Sequence, residues 1–466
     1  MYNDIIKVFF TNVIKIFTTL ITTFIIPKFL SIDNYELLKL YQLYTSYIGV
    51  FHLGFVDGVF LKYGGKSISC SKDKKTLYNE HKVLFIYEIL ITFIFLVISF
   101  LQKDIVMFFF SLSFIPTTLI DFYRNVYQSI GNFDAYSKLL NFLSILNLLA
   151  NIFVIFILKK NNYIFLLIAY TIVNYIVLIL ALCNFSKIME KSHEQYSFTN
   201  IFINLVKSGI LLMLGNFSYI FFLSIDKWFI NYFLSNIDFA FYSFSSSLLS
   251  IINMFINPIS LTLFTYICKN NNLAFYNKTK RFLILLLEIM LLTSFVFDLI
   301  VSIFIKTYIP AIGLTYLLIF AQIIISYNIT LYVNLFKVKK MQNKYFLNLI
   351  FVVIFSIIIN YLSIILFKNV YGITVATVIS MIFWTVLNIK SMPLISYTQK
   401  ELLQVLIVVV SYFICSILNN TLIALGLFIL ILFLCILFEY KVEIQYIIKI
   451  TFNKLKNILQ KIIQNS

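Results

Sequence analysis

Apolar runs of about twenty residues follow one another along this chain from Ile5 to Leu437, and no joint between them exceeds about twenty residues. A run of that length forms a helix just able to cross the roughly 30 Å hydrocarbon layer of a bilayer. Inside that layer the backbone must satisfy itself, so only helices or closed barrels can span it. A barrel would show short alternating segments, which are absent here. The chain is 61% hydrophobic and only 12% charged, more apolar surface than a soluble fold of 466 residues can hide. An all-α integral membrane protein is expected, with about fourteen transmembrane helices near residues 6–27, 37–61, 82–101, 105–129, 138–158, 163–185, 205–226, 239–267, 280–304, 312–336, 345–367, 371–389, 402–418 and 421–439.

Basic residues orient these spans. With the N-terminus inside, 28 of the 36 Lys and Arg fall on the cytoplasmic side. The opposite side keeps Lys28, Lys39, Lys103, Lys159, Lys160, Lys227, Lys306 and Lys368. This bias places both termini in the cytoplasm. The net charge of +17 then reflects topology and attraction to anionic lipid, not a nucleic-acid surface. Residues 441–466 alternate Lys with apolar residues and are expected to lie on the cytoplasmic leaflet as a basic amphipathic tail.

Several chemistries find no support. No Walker A loop is present, so no cofactor and no ATP hydrolysis on this chain is expected. The five Cys have no metal spacing, and His52, His81 and His193 are too dispersed for a metal or a triad. Ile5 to Ile26 is too long for a cleaved signal. No metal site and no enzyme active site is expected.

The chain also repeats itself. Residues 11–31, TNVIKIFTTLITTFIIPKFLS, and residues 215–235, GNFSYIFFLSIDKWFINYFLS, match at eight of twenty-one positions when offset by 204. Chance in so biased a composition gives about two, so a duplication is expected. It divides the chain into six-helix lobes at 1–195 and 196–397, followed by two additional helices over 398–440.

Polar stripes recur at the same offset. Ser243, Ser246, Ser250, Asn253, Asn257 and Ser260 share an arc of about 100° on helix 8. Gln42, Thr45, Ser46, Gly49 and His52 do so on helix 2. Asn12, Lys15, Thr19 and Thr22 mark one face of helix 1, and Ser208, Asn216, Tyr219 and Asp226 one face of helix 7. Small polar residues also let helices pack closely. Four stripes in paired positions, carrying Lys15 and Asp226, favour a shared water-filled cavity between repeated halves, as in secondary transporters.

Two segments carry a family resemblance. IDKWFINYFLS, Ile225 to Ser235, followed by Tyr242, resembles the signature that opens the second lobe of bacterial Wzx-type polysaccharide flippases. LGFVDGVFLKYGG, Leu53 to Gly65, resembles the end of that family's second helix, with Asp57, Gly58 and Lys62 in the acidic, small and basic places. Lys227 stands where Arg is usual and Phe241 where Gly is. The family belongs to the multidrug/oligosaccharidyl-lipid/polysaccharide (MOP) exporter superfamily.

The resemblance implies alternating-access transport of undecaprenyl-diphosphate-linked oligosaccharide across the bacterial cytoplasmic membrane, with a polysaccharide polymerase and glycosyltransferases as partners. Hydroxyl and amide stripes suit a sugar headgroup, and the diphosphate needs fixed positive charge. Lys15 and Arg124 are the candidate cations; snorkelling of Lys15 and an ion pair between Arg124 and Asp121 are the bland alternatives. Glu288 and Asp298 are candidates for a coupling proton or Na+, or for pairing with a neighbouring Lys. Glu88 is expected to pair locally, and His52, the one His on a stripe, is a candidate ligand contact in the cavity. A cation-coupled multidrug exporter of the same superfamily is the main rival and would favour acids in the cavity. An integral-membrane polymerase or acyltransferase is the enzyme alternative, and it would want an outer loop or an Asp/His/Arg cluster that is not seen.

Overall fold

The computed structural model of the chain describes residues 2–439 apart from Ser67, Ser69, residues 192–195 and residues 270–271. The basic tail 441–466 and His193 therefore lie outside the described residues. All regular structure within them is helical.

The first half comprises α1 (Tyr2–Phe29), α2 (Ile32–Thr45), α3 (Ile48–Phe51), α4 (Phe55–Tyr63), α5 (Ser71–Gln102), α6 (Ile105–Leu112), α7 (Phe114–Ser129), α8 (Phe133–Ile152), and α9 (Tyr163–Phe185). The second comprises α10 (Phe198–Phe222), α11 (Ile225–Phe233), α12 (Asn236–Lys269), α13 (Leu273–Met290), α14 (Leu292–Phe304), α15 (Ile312–Tyr327), α16 (Asn334–Val338), α17 (Gln342–Phe367), α18 (Val370–Ser391), α19 (Gln399–Ser416) and α20 (Thr421–Glu439). Joined across their breaks, these pieces follow the spans expected from the sequence. Eleven are long and apolar enough to cross a membrane, and Thr421–Leu437 is a shorter apolar helix. Large apolar side chains point outward, Leu211 at 79% and Ile417 at 81% exposure, as a lipid-facing surface requires. This is a multi-pass membrane protein.

The repeated FLS has a local cause. Ser31 accepts the Asn34 N–H at 3.3 Å and caps α2, and Ser235 accepts the Asp238 N–H at 3.2 Å at the start of α12. In both copies the serine ends one helix and satisfies an orphan N–H of the next. The duplicated letters encode a duplicated turn.

Contacts gather the chain into two units, Met1–Met254 with Phe346–Ser380, and Phe255–Tyr345 with Met381–Ser466. In the first, α4 packs on α10 and α7, and α1 on α8. Leu53 (φ 54°) and Gly54 (φ 85°) turn the chain into α4, and that turn brings Gly54 and Gly58 onto Gly209 of α10. In the second, α14 and α19 pack on α20, and α13 on α15.

Candidate functional site: a cationic cavity in the first unit

Helical spacing aims polar side chains from several helices into one cavity of about 860 Å³ in the first unit. Helix α1 supplies Lys15, Thr18, Thr19, Thr22 and Thr23, and α2 supplies Tyr35, Lys39, Gln42 and Thr45, with Ser46 at its end. Ser144, Asn147 and Asn151 come from α8, and Tyr170 and Asn174 from α9. Ser224 and Lys227 lie at the start of α11, while Ser243, Ser246, Ser247 and Ser250 run along α12. Among the described residues, the walls carry three Lys and neither Asp nor Glu.

Local bonds hold this lining in shape. Lys39 Nζ donates to Gln42 Oε1 at 2.9 Å and lies 5.2 Å from the centre of the Tyr35 ring. The Tyr170 hydroxyl donates to Asn151 Oδ1 at 2.7 Å. Thr18 and Thr22 turn their hydroxyl protons back onto α1 carbonyls, leaving oxygen lone pairs toward the cavity. Ser224 bonds the Tyr47 hydroxyl, which also accepts from Trp228 Nε1 at 2.9 Å. Such a surface offers many weak partners to a polyhydroxylated group and fixed positive charge to an anion.

Of the residues expected at the cavity, Lys15, Thr19, Gln42, Ser46, Ser246 and Ser250 line it. His52, Asn216 and Asp226 stand elsewhere; helix breaks explain His52 and Asp226, whereas Asn216 lies on the unbroken α10 and faces α4. The chain turns at Ser46–Tyr47 and again at Leu223–Ser224, so a phase of 100° per residue cannot be carried across. Buried His52 accepts the Gly54 N–H on Nδ1 at 3.1 Å, and its Nε2 is 4.0 Å from Asp57 Oδ2. Asn216 donates to Asp57 Oδ1 at 3.4 Å. Asp226 is buried, where it accepts the Tyr242 hydroxyl, the Thr377 hydroxyl at 3.3 Å and the Lys227 N–H at 2.8 Å. Asn253 is half-buried and Asn257 exposed, further along α12 than the lining serines. Asn12 belongs to α1, but its side chain is outside the described part of the structure. Arg124 is 3.0 Å from Asp121 and does not line the cavity.

Sequence reasoning missed Lys39 and Lys227, which had been counted as residues of the outer side. The signal was present for Lys39, three residues before Gln42 on the same stripe. It was present too for Asn147 and Asn151, spaced by four in an otherwise apolar run.

Searches against family models and curated proteins return no match. Among solved structures, "Lipid II flippase MurJ, inward closed conformation" aligns with a TM-score of 0.71 at 14% identity, covering 95% of this chain and 100% of that one. The inward-facing conformation of a multidrug resistance MATE family transporter of the MOP superfamily aligns with a TM-score of 0.52 at 12% identity, covering 82% of this chain and 98% of that one. The chain shares the fold of these two proteins.

Within this fold the second unit carries a different cavity, of about 530 Å³, walled mostly by aliphatic side chains. Glu288 lines it and accepts from Gln404 Nε2 at 2.9 Å. Asp298 stands beyond the break at Leu291, where it accepts from the Tyr316 hydroxyl at 2.9 Å and from Ser302 at 3.1 Å. Both acids thus have neutral partners, not a neighbouring Lys. Glu88 is fully buried beside the Thr118 hydroxyl of α7, and no ion pair to it is found among the described residues. Glu401, also at the second cavity, pairs with Lys280 at 2.5 Å.

Proposed function

We propose that this protein carries undecaprenyl-diphosphate-linked oligosaccharide across the bacterial cytoplasmic membrane by alternating access, without itself hydrolysing ATP. The carrying observation is the sign of the cavity: Lys15, Lys39 and Lys227 with no carboxylate among the described lining residues. A diphosphate needs such positive charge in a low-dielectric site, and the Ser, Thr, Asn and Gln side chains around it suit a sugar. A lipid-linked substrate also stands in the name of the MurJ flippase whose fold the chain shares. An exporter of cationic drugs would be better served by acids in this cavity, and none is found among its described lining residues.

Lys15 keeps its proposed role at the diphosphate, while Arg124, paired to Asp121, gives up its place to Lys39 and Lys227. Glu288 and Asp298 remain the candidates for a coupling proton or Na+. A polymerase and glycosyltransferases act before and after such a step. Deleting the gene tests the reading. Lipid-linked oligosaccharide should accumulate on the cytoplasmic leaflet and surface polysaccharide should fall, with drug susceptibility unchanged. Raised drug susceptibility with normal polysaccharide would instead favour the drug exporter.

A further inference from the structure

The three lysines are not equivalent. Lys15 lies fourteen residues before the end of α1 at Phe29, about 21 Å along that helix from the α1–α2 turn. Lys39 lies seven residues after the start of α2 at Ile32, about 10 Å from the same turn. The cavity therefore holds positive charge at two depths, roughly 10 Å apart, with the α1 threonines between them.

Lys227 belongs with Lys39: both line the cavity, and Ser224 and Trp228, which flank Lys227, bond the Tyr47 hydroxyl just past the end of the helix that carries Lys39. Two ammonium groups lining one low-dielectric cavity repel, and water or an anion between them relieves that repulsion. Neither lysine makes an ion pair among the described residues. The neighbouring acid, Asp226, interacts electrostatically with Lys227 but does not line the cavity; its carboxyl oxygens accept from Tyr242, Thr377 and the Lys227 backbone N–H. Lys39 instead rests on Gln42 Oε1 and the Tyr35 ring, which hold an ammonium without neutralising it.

We infer that Lys39 and Lys227 form a second anion station, separate from Lys15, and that the substrate's diphosphate passes between the two during transport. This rests on the flippase reading above. Two stations have a mechanical advantage over one. A single site tight enough to collect the anion from one side would release it slowly on the other, whereas two weaker sites let it move in steps.

Equilibrium binding separates the possibilities. The probes are undecaprenyl diphosphate and, as a control without charge, undecaprenol, each titrated into the purified full-length protein in lipid nanodiscs. Four proteins are compared: the natural chain, Lys15→Gln, Lys39→Gln/Lys227→Gln, and the triple variant. Because either station alone can hold the anion, Lys15→Gln and the double variant should each weaken diphosphate binding by less than about threefold, and the triple variant by at least about tenfold. Lys39→Arg/Lys227→Arg should bind as the natural chain does, which controls for folding. If Lys15→Gln alone, or the double variant alone, loses as much as the triple, there is one anion site and the proposal is overturned while the flippase reading stands. If the triple variant binds diphosphate as tightly as the natural chain, and no tighter than undecaprenol, the flippase reading itself fails.

Discussion

Gly209 of α10 lies against Gly58 of α4 with no room for a side chain between them: a Cβ on Gly209 would stand 2.3 Å from the Gly58 amide nitrogen and 2.0 Å from the Gly54 carbonyl oxygen. Both helices belong to the first unit, and the motif LGFVDGVF is what brings them together. Its Leu53 and Gly54 make the turn, its Asp57 accepts from Asn216, and its Gly58 allows the approach.

Gly209→Ala should therefore destabilise the protein by about 1–3 kcal/mol, because backbone has to move to admit the methyl. Gly215→Ala, on the same helix where a Cβ would meet nothing within 4 Å, should be neutral or slightly stabilising. Thermal unfolding of both variants in detergent checks this. Equal melting of Gly209→Ala and the natural chain would show that the close contact does not form.

Lys280 and Glu401 make the second prediction. Their side chains are 2% and 5% exposed, Lys280 also donates to the Ser396 carbonyl at 2.6 Å, and Glu401 closes the capping box of α19 with Thr398. Glu401→Ala leaves a buried ammonium without its counter-charge and should cost about 3–5 kcal/mol. Lys280→Met/Glu401→Leu removes both charges and should recover much of that loss. Membrane abundance and melting temperature are the readouts; a double variant worse than the single one would refute the account of this pair.

Membrane orientation gives a third. Reporter fusions after Lys66 and after Asn419 should report opposite sides, cytoplasmic for the first, because the basic residues are distributed that way. The same side for both would overturn the topology, and with it the depth order of Lys15 and Lys39 relative to the cytoplasm.

The helices were legible because a bilayer makes apolar length nearly sufficient as a signal. The polar stripes were legible only within unbroken helices. Lys15, Thr19, Gln42, Ser46, Ser246 and Ser250 were placed by a phase that survives along one helix. His52 and Asp226 were misplaced because each lies past a break, and at Leu223–Ser224 the reset puts Lys227 on the cavity and Asp226 in the packing. Lys39 and Lys227 were read as topology markers, since the positive-inside rule scores every lysine near a helix end alike. Both nonetheless line the cavity. Nothing in the sequence marked α8 and α9 as cavity walls except their isolated Asn residues, which in a membrane helix are costly unless they face water or one another.

The central claim is that the positive charge of this cavity serves an anionic, lipid-linked headgroup. Its most direct measurement is surface polysaccharide export in a strain lacking the native protein and carrying Lys15→Gln/Lys39→Gln/Lys227→Gln, with membrane abundance matched to the natural chain. Export should fall at least about tenfold, the loss of roughly 1.4 kcal/mol or more of anion stabilisation, and lipid-linked oligosaccharide should build up on the cytoplasmic leaflet. Normal export at normal abundance would contradict the account.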